Sequence, residues 1–173
     1  CLLTLLSDKD GNPVTLHRTY LTPDGQKAPV NKAKKLMTPP SYLARTGNAI
    51  RMTPPGRVMG VTEGIETAWS VWWATNTPIW PTYSADYLAN FEPPDGVEML
   101  IAWVDKDLSG KGLEAGKKLK QRMWERNIQT RIMMPEIDIP DGESGVDWND
   151  VLKREGPTAF PGPSQMRRMQ NVA

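Results

Sequence analysis

One cysteine and one histidine among 173 residues leave the chain almost nothing from which a soft-metal or nucleophilic site is normally built. An intrachain disulfide is impossible, and a Cys/His zinc site cannot be assembled within the chain. No Ser/His/Asp or Cys/His nucleophile arrangement is on offer either, because Cys1 and His17 both fall in the opening segment. His17, inside LHRTY, reads as a surface or hairpin residue, and a reducing compartment is the default. Long apolar runs are missing as well. The opening CLLTLL has no basic flank or cleavage site, and nothing approaches the ~20 apolar residues of a membrane span. No membrane partner is expected, and the cytoplasm is the expected location. A first residue that is Cys instead of Met reads as a piece of a longer chain. The formal net charge of +1 excludes the global basic character that by itself announces nucleic acid.

What charge there is lies unevenly. Between Gly25 and Thr62 stand Lys27, Lys32, Lys34, Lys35, Arg45, Arg51 and Arg57 with no acid among them, whereas Glu136 to Glu155 is strongly acidic. This asymmetry suggests a polyanion-facing segment beside a cation-binding one.

The pattern predicts one α/β domain with a small appendage. Residues 1–21 read as a hairpin around SDKDGN, followed by the turn TPDG. From Gln26 to Gly56 the chain is broken by Pro39, Pro40, Pro54 and Pro55 and is expected to be mostly loops, with one short strand at Ala49–Met52. Alternation begins at Val58: a strand Val58–Thr62, then a helix on which Ile65, Ala68, Trp69, Trp72 and Trp73 form the apolar face, so that Trp72 and Trp73 are expected in the core. A strand near Pro78–Thr82, a helix Ser84–Asn90, a strand Met99–Val104, a basic helix capped by Ser109 with Leu113, Gly116, Leu119 and Met123 inward, and a strand Thr130–Met134 follow. The order implies a parallel sheet covered on both faces. The expected division is an accessory lobe at 1–57, a catalytic domain at 58–156 and a Pro-containing tail at 157–173 outside the core.

The chemistry-bearing residues are acids at element ends. Glu63 follows the first parallel strand, in VTEG; Asp105 and Asp107 follow the strongest strand, in VDKD; Asp147 and Asp150 bracket WN in GVDWND. Carboxylates at the carboxyl ends of parallel strands converge on one crevice, and clustered hard oxygens suit Mg²⁺ or Mn²⁺. Each group also has a plainer account. Glu66 sits in a first helical turn where the helix dipole favours an acid, Asp147 and Asp150 suit a helix cap, and Lys106 and Lys111 could neutralise the VDKD pair on a solvated loop.

VTEG, VDKD and GVDWND in that order resemble the TOPRIM domain shared by bacterial primases, topoisomerases, certain nucleases, ribosomal RNA maturases and recombination mediators. LHRTYLTPDGQKA and GNAIRM further resemble the TOPRIM-bearing region of phage and plasmid primases, including those fused to helicases. The resemblance covers residues 14–156 and implies an α/β fold with a Rossmann-like parallel sheet flanked by helices, beside a small hairpin- and loop-rich lobe. It implies Glu63, Asp105 and Asp107 as catalytic, with the same three and Asp147 as ligands of Mg²⁺ or Mn²⁺; Asn149 stands where that branch often has an acid. Glu66 and Asp150 are possible supports. The implied activity is metal-dependent synthesis of RNA primers from ribonucleoside triphosphates on single-stranded DNA, with a helicase segment or protein as a further partner. Lys34, Lys35, Arg51 and Lys111 are the expected nucleotide or nucleic-acid contacts. A TOPRIM-type DNA nuclease and a non-catalytic module binding DNA or a partner protein are the alternatives.

Overall fold

The computed structural model describes residues 1–38 and 47–162. Expectations attached to Pro39, Pro40, Arg45 and the tail beyond Gly162 lie outside the described residues. The chain opens with β1 (Leu2–Ser7) and β2 (Pro13–Thr19), which form the expected hairpin. The segment expected to be mostly loops supplies its one expected strand as β4 (Ala49–Ile50) and adds β3 (Lys34–Leu36), giving an antiparallel sheet in the order β3-β2-β1-β4. Local sequence does not announce β3, because three half-buried residues hold as a strand only through their pairing with His17, Arg18 and Thr19. Directly opposed residues share a face of a sheet, so Lys34, opposite Thr19, lies with the buried Thr15, His17 and Thr19, whereas Lys35, opposite Arg18, lies with the exposed Leu3.

The second sheet is parallel. Its strands are β5 (Val58–Thr62), β6 (Ile79–Pro81), β7 (Met99–Trp103) and β9 (Gln129–Met133), in the order β6-β5-β7-β9, with α1 (Ile65–Thr75) and α2 (Ala85–Ala89) as the first crossovers. The short strand β8 (Lys106–Asp107) leads into α3 (Lys111–Trp124), and β10 (Gly145–Val146) leads into α4 (Trp148–Glu155). Every residue of β7 is buried, as the unbroken run MLIAW requires when helices cover both faces. Leu100 and Ala102 join Leu88 of α2 and Ala115, Leu119 and Met123 of α3 in one core; Ile101 and Trp103 join Ala68 and Val71 of α1 and Trp148 and Val151 of α4 in the other.

Three expectations fail. The buried residues of α1 are Thr67, Ala68, Ser70 and Val71; Trp72 is only partly buried, and Trp69 and Trp73 are 52% and 67% exposed. The helix turns its small residues to the sheet and α4; Trp72 packs against the margin of that core, and the Trp69 and Trp73 indoles fall outside it. His17 belongs to the hairpin but is 3% exposed, its ring meeting the edge of Tyr83 at 5.4 Å, so it is not a surface residue. The start of the tail is not outside the core: after a 3-10 turn at Pro157–Ala159, Phe160 is buried against Trp103 and Trp148.

Candidate functional site

β5 and β7 are central neighbours whose carboxyl ends coincide, Thr62 pairing with Trp103. The chain leaves β5 toward one edge of the sheet and β7 toward the other, which opens a crevice between them. Glu63 and Asp105 stand at this opening. The two-stranded ribbon β8–β10 pairs Gly145 with Asp107 and Val146 with Lys106, and so brings Asp147 to the same place from some 40 residues further along the chain. The resulting pocket, about 200 Å³, is lined by Lys27, Lys34, Glu63, Gly64, Glu66, Thr67, Tyr83, Asp105, Asp147 and Asn149. A larger hollow of about 460 Å³ opens at the amino ends of the parallel strands. Among the described residues its only charged ones are Arg57 and Glu98, which already pair with one another on the surface. The smaller pocket is therefore the candidate functional site.

Its acids are in conflict. Burial pushes the Asp105 carboxyl up to about 7, reinforced by the charges of Glu63, Asp147 and Asp107, with Lys34 opposing. Asp105 Oδ1 is buried without a hydrogen-bond partner. Burial also raises Glu63, helped by the Asp107 charge and opposed by the Ala85 amide at the start of α2. Buried carboxylates that repel one another, one with an orphaned oxygen, are the donor set a hard divalent cation satisfies. The fit is chemical and not that of a finished cage: among the described residues no three His, Cys, Asp or Glu side chains are gathered closely enough to hold an ion as they stand.

Asp107 and Asp150 do not line the pocket. Ser109, expected to cap α3, instead donates its hydroxyl to Asp107. The true cap position is Gly110, at φ 71°, and the Asp107 carboxylate accepts the first helical amides, Lys111 N at 3.3 Å and Gly112 N at 3.1 Å. The Ser109 hydroxyl and these amides hold Asp107 below the usual carboxylate range. At α4, Asp147 Oδ1 accepts from Asn149 N at 2.8 Å and Asp150 N at 2.9 Å, while Asp150 Oδ2 accepts from Asp147 N at 3.0 Å. This reciprocal capping box turns Asp150 to the helix and leaves Asp147 both cap and pocket wall.

The expected basic contacts separate. Lys34 reaches the pocket and pairs with Glu66 at 2.8 Å, and Lys27 takes the other oxygen of the same carboxylate at 3.5 Å. Burial works upward on Glu66, but Lys34 and Lys27 prevail and hold it below its ordinary value. Lys35 sits over the Tyr20 ring at 5.6 Å, Arg51 lies over Trp80 at 4.7 Å, and Lys111 is exposed at the start of α3; none of them lines the pocket. Thr67 and Tyr83 line it without being expected there; Lys27 is expected only as part of the basic, polyanion-facing segment, and Asn149 only as the residue standing where the resembled branch often has an acid. Tyr83 follows the carboxyl end of β6, the rule that found Glu63 and Asp105. Its φ of 130° is strained for a side-chain-bearing residue and is held by its amide donating to the Glu63 carbonyl at 2.8 Å, with its ring between His17 and Tyr87.

Comparison with solved structures places both sheets. A DNA primase domain from Pseudomonas aeruginosa is similar over 96% of this chain and 50% of its own, with a TM-score of 0.57 and 13% identity. The E. coli primase catalytic core gives 0.59 at 15% identity over 96% and 51%. A DnaG primase catalytic domain bound to single-stranded DNA gives 0.60 at 14% identity over 96% and 50%. The chain thus spans about half the length of these primase structures. No curated protein sequence matches it. Residues 1–52 match a domain of unknown function, DUF7146. Residues 58–158, more than half of the chain and the whole parallel sheet with its acids, match the Toprim domain, and the chain belongs to that family.

Proposed function

We propose that this chain is the catalytic core of a primase-type nucleotidyltransferase, joining ribonucleotides on single-stranded DNA with Mg²⁺ or Mn²⁺. The observation that carries the reading is the pocket's two-sided lining, with Glu63, Asp105 and Asp147 on the Toprim domain and Lys27 and Lys34 on the amino-terminal lobe. The likeness to primase cores supports it, because it extends over that lobe as well as over the Toprim sheet. Glu63, Asp105 and Asp147 would hold the ion, and Asp107 would join them only by releasing the amides of α3. When bound, the ion supplies charge compensation for a triphosphate. Where the ion rests on Asp105 and Asp147, Glu63, whose proton affinity burial raises, would instead take a proton from an attacking hydroxyl. Lys34 faces the polyphosphate; Lys35, Arg51 and Lys111 are left for template contacts outside the pocket. Residues 1–57 act as the accessory lobe and 58–156 as the catalytic domain.

The test uses the full-length protein with single-stranded DNA, ribonucleoside triphosphates and Mn²⁺. Short oligoribonucleotides should appear, and Glu63→Gln should abolish them while leaving DNA binding intact. Metal-dependent shortening of labelled DNA without incorporation of nucleotides would overturn the reading in favour of a nuclease.

A further inference from the structure

We propose that Glu66 is a positioning residue that holds Lys34 at its own carboxylate and away from Glu63, Asp105 and Asp147, so that negative charge for a cation and positive charge for a polyanion stay apart within one pocket. The inference rests on the metal-dependent reading of that pocket.

Lys34 stands on the inward face of β3, and its long, flexible side chain lines one pocket with three carboxylates besides Glu66: Glu63, Asp105 and Asp147. One of them, Asp105, has a buried oxygen without a hydrogen-bond partner among the described residues. An ammonium in such company is drawn to whichever carboxylate is left uncompensated. What holds it instead is Glu66, one carboxylate oxygen 2.8 Å from Lys34 Nζ and the other 3.5 Å from Lys27 Nζ. Glu66 is fixed by its place in the first turn of α1. The pair is about one-third exposed on both sides, so as a fold-holding contact it contributes little. Its effect is on where a positive charge rests.

Removing the Glu66 charge should let Lys34 fall onto Asp105 and Glu63 and compete there with a divalent ion. Mn²⁺ titration of the full chain by calorimetry at pH 8 reads this without any assay of turnover. Glu66→Gln should weaken Mn²⁺ binding about fivefold to tenfold, and Lys34→Gln should bind at least as tightly as wild type. The double variant Glu66→Gln/Lys34→Gln should regain wild-type affinity, because the competing ammonium is gone. Glu66→Asp, which keeps the charge with a shorter reach, should show an intermediate loss and serves if Glu66→Gln does not fold. Unchanged affinity in Glu66→Gln, or a double variant as weak as Glu66→Gln alone, would overturn the proposal while wild-type Mn²⁺ binding stands. Absence of Mn²⁺ binding in the wild type would instead remove the metal-dependent reading and this inference together.

Discussion

Gly112 lies against the backbone of Asp105 so closely that a Cβ on it would stand 2.6 Å from the Asp105 carbonyl oxygen and 3.3 Å from its amide nitrogen. The first turn of α3 is therefore pressed onto the loop that presents Asp105, and only a residue without a side chain permits the approach. The same turn supplies the amides that hold Asp107. Gly112→Ala should push helix and loop apart at a cost of about 1–3 kcal/mol, as overpacking does. It should also loosen Mn²⁺ binding, because Asp105 moves with its backbone. Chemical denaturation and Mn²⁺ titration on the same samples check both effects, and a variant as stable as wild type with unaltered affinity would contradict the contact.

Asp105 predicts the direction of the pH dependence of stability. Its carboxyl, ordinarily near 3.8, is raised to about 7 in the folded chain, chiefly by burial. Between those values the folded state holds a proton that the unfolded state has released. The contribution is fully present below pH 3.8 and is lost as pH rises through about 7. Wild type should therefore be more stable at pH 5 than at pH 8 by roughly 2–4 kcal/mol on this account. Asp105→Asn, which cannot ionise, should flatten that difference and be the more stable protein at pH 8. Mn²⁺ at pH 8 should stabilise wild type and not the variant. Urea unfolding at the two pH values decides it; an Asp105→Asn chain that keeps the wild-type slope would place the titrating group elsewhere.

The central strands are legible in the sequence because β5 and β7 are covered on both faces, and a strand buried on both faces must be apolar at every position instead of at every second one. The positions of Glu63, Asp105 and Asp147 are legible because each stands within two residues of a strand's carboxyl end. The inward face of α1 is not, because periodicity weights large rings, whereas the contact with the sheet and α4 is made by Ala68, Ser70 and Val71, and two indoles flank it in solvent. Phe160 is hidden among prolines, and nothing local announces that Trp103 and Trp148 leave an aromatic slot for it. The different destinations of Asp105 and Asp107, and of Lys34 and Lys35, depend on cross-strand register and on which amides a carboxylate meets. Spacing alone does not encode those relations.

Asp147 does two jobs that substitution can separate. Its side chain accepts two amide hydrogen bonds at the start of α4, and the same carboxylate lines the pocket beside Asp105. Asp147→Ala loses both, and the uncapped helix should cost about 1 kcal/mol or somewhat more. Asp147→Ser retains a good cap without the charge, so its stability should stay near wild type. At pH 8 it can even gain, because one of the charges opposing ionised Asp105 is gone. Both variants should bind Mn²⁺ equally poorly if the charge serves the ion. Thermal unfolding in metal-free buffer followed by Mn²⁺ titration separates the two roles. Should Asp147→Ser bind Mn²⁺ as tightly as wild type, Asp147 is a helix cap alone, and the ion must then rest on Glu63 and Asp105 with Asp107 drawn away from α3.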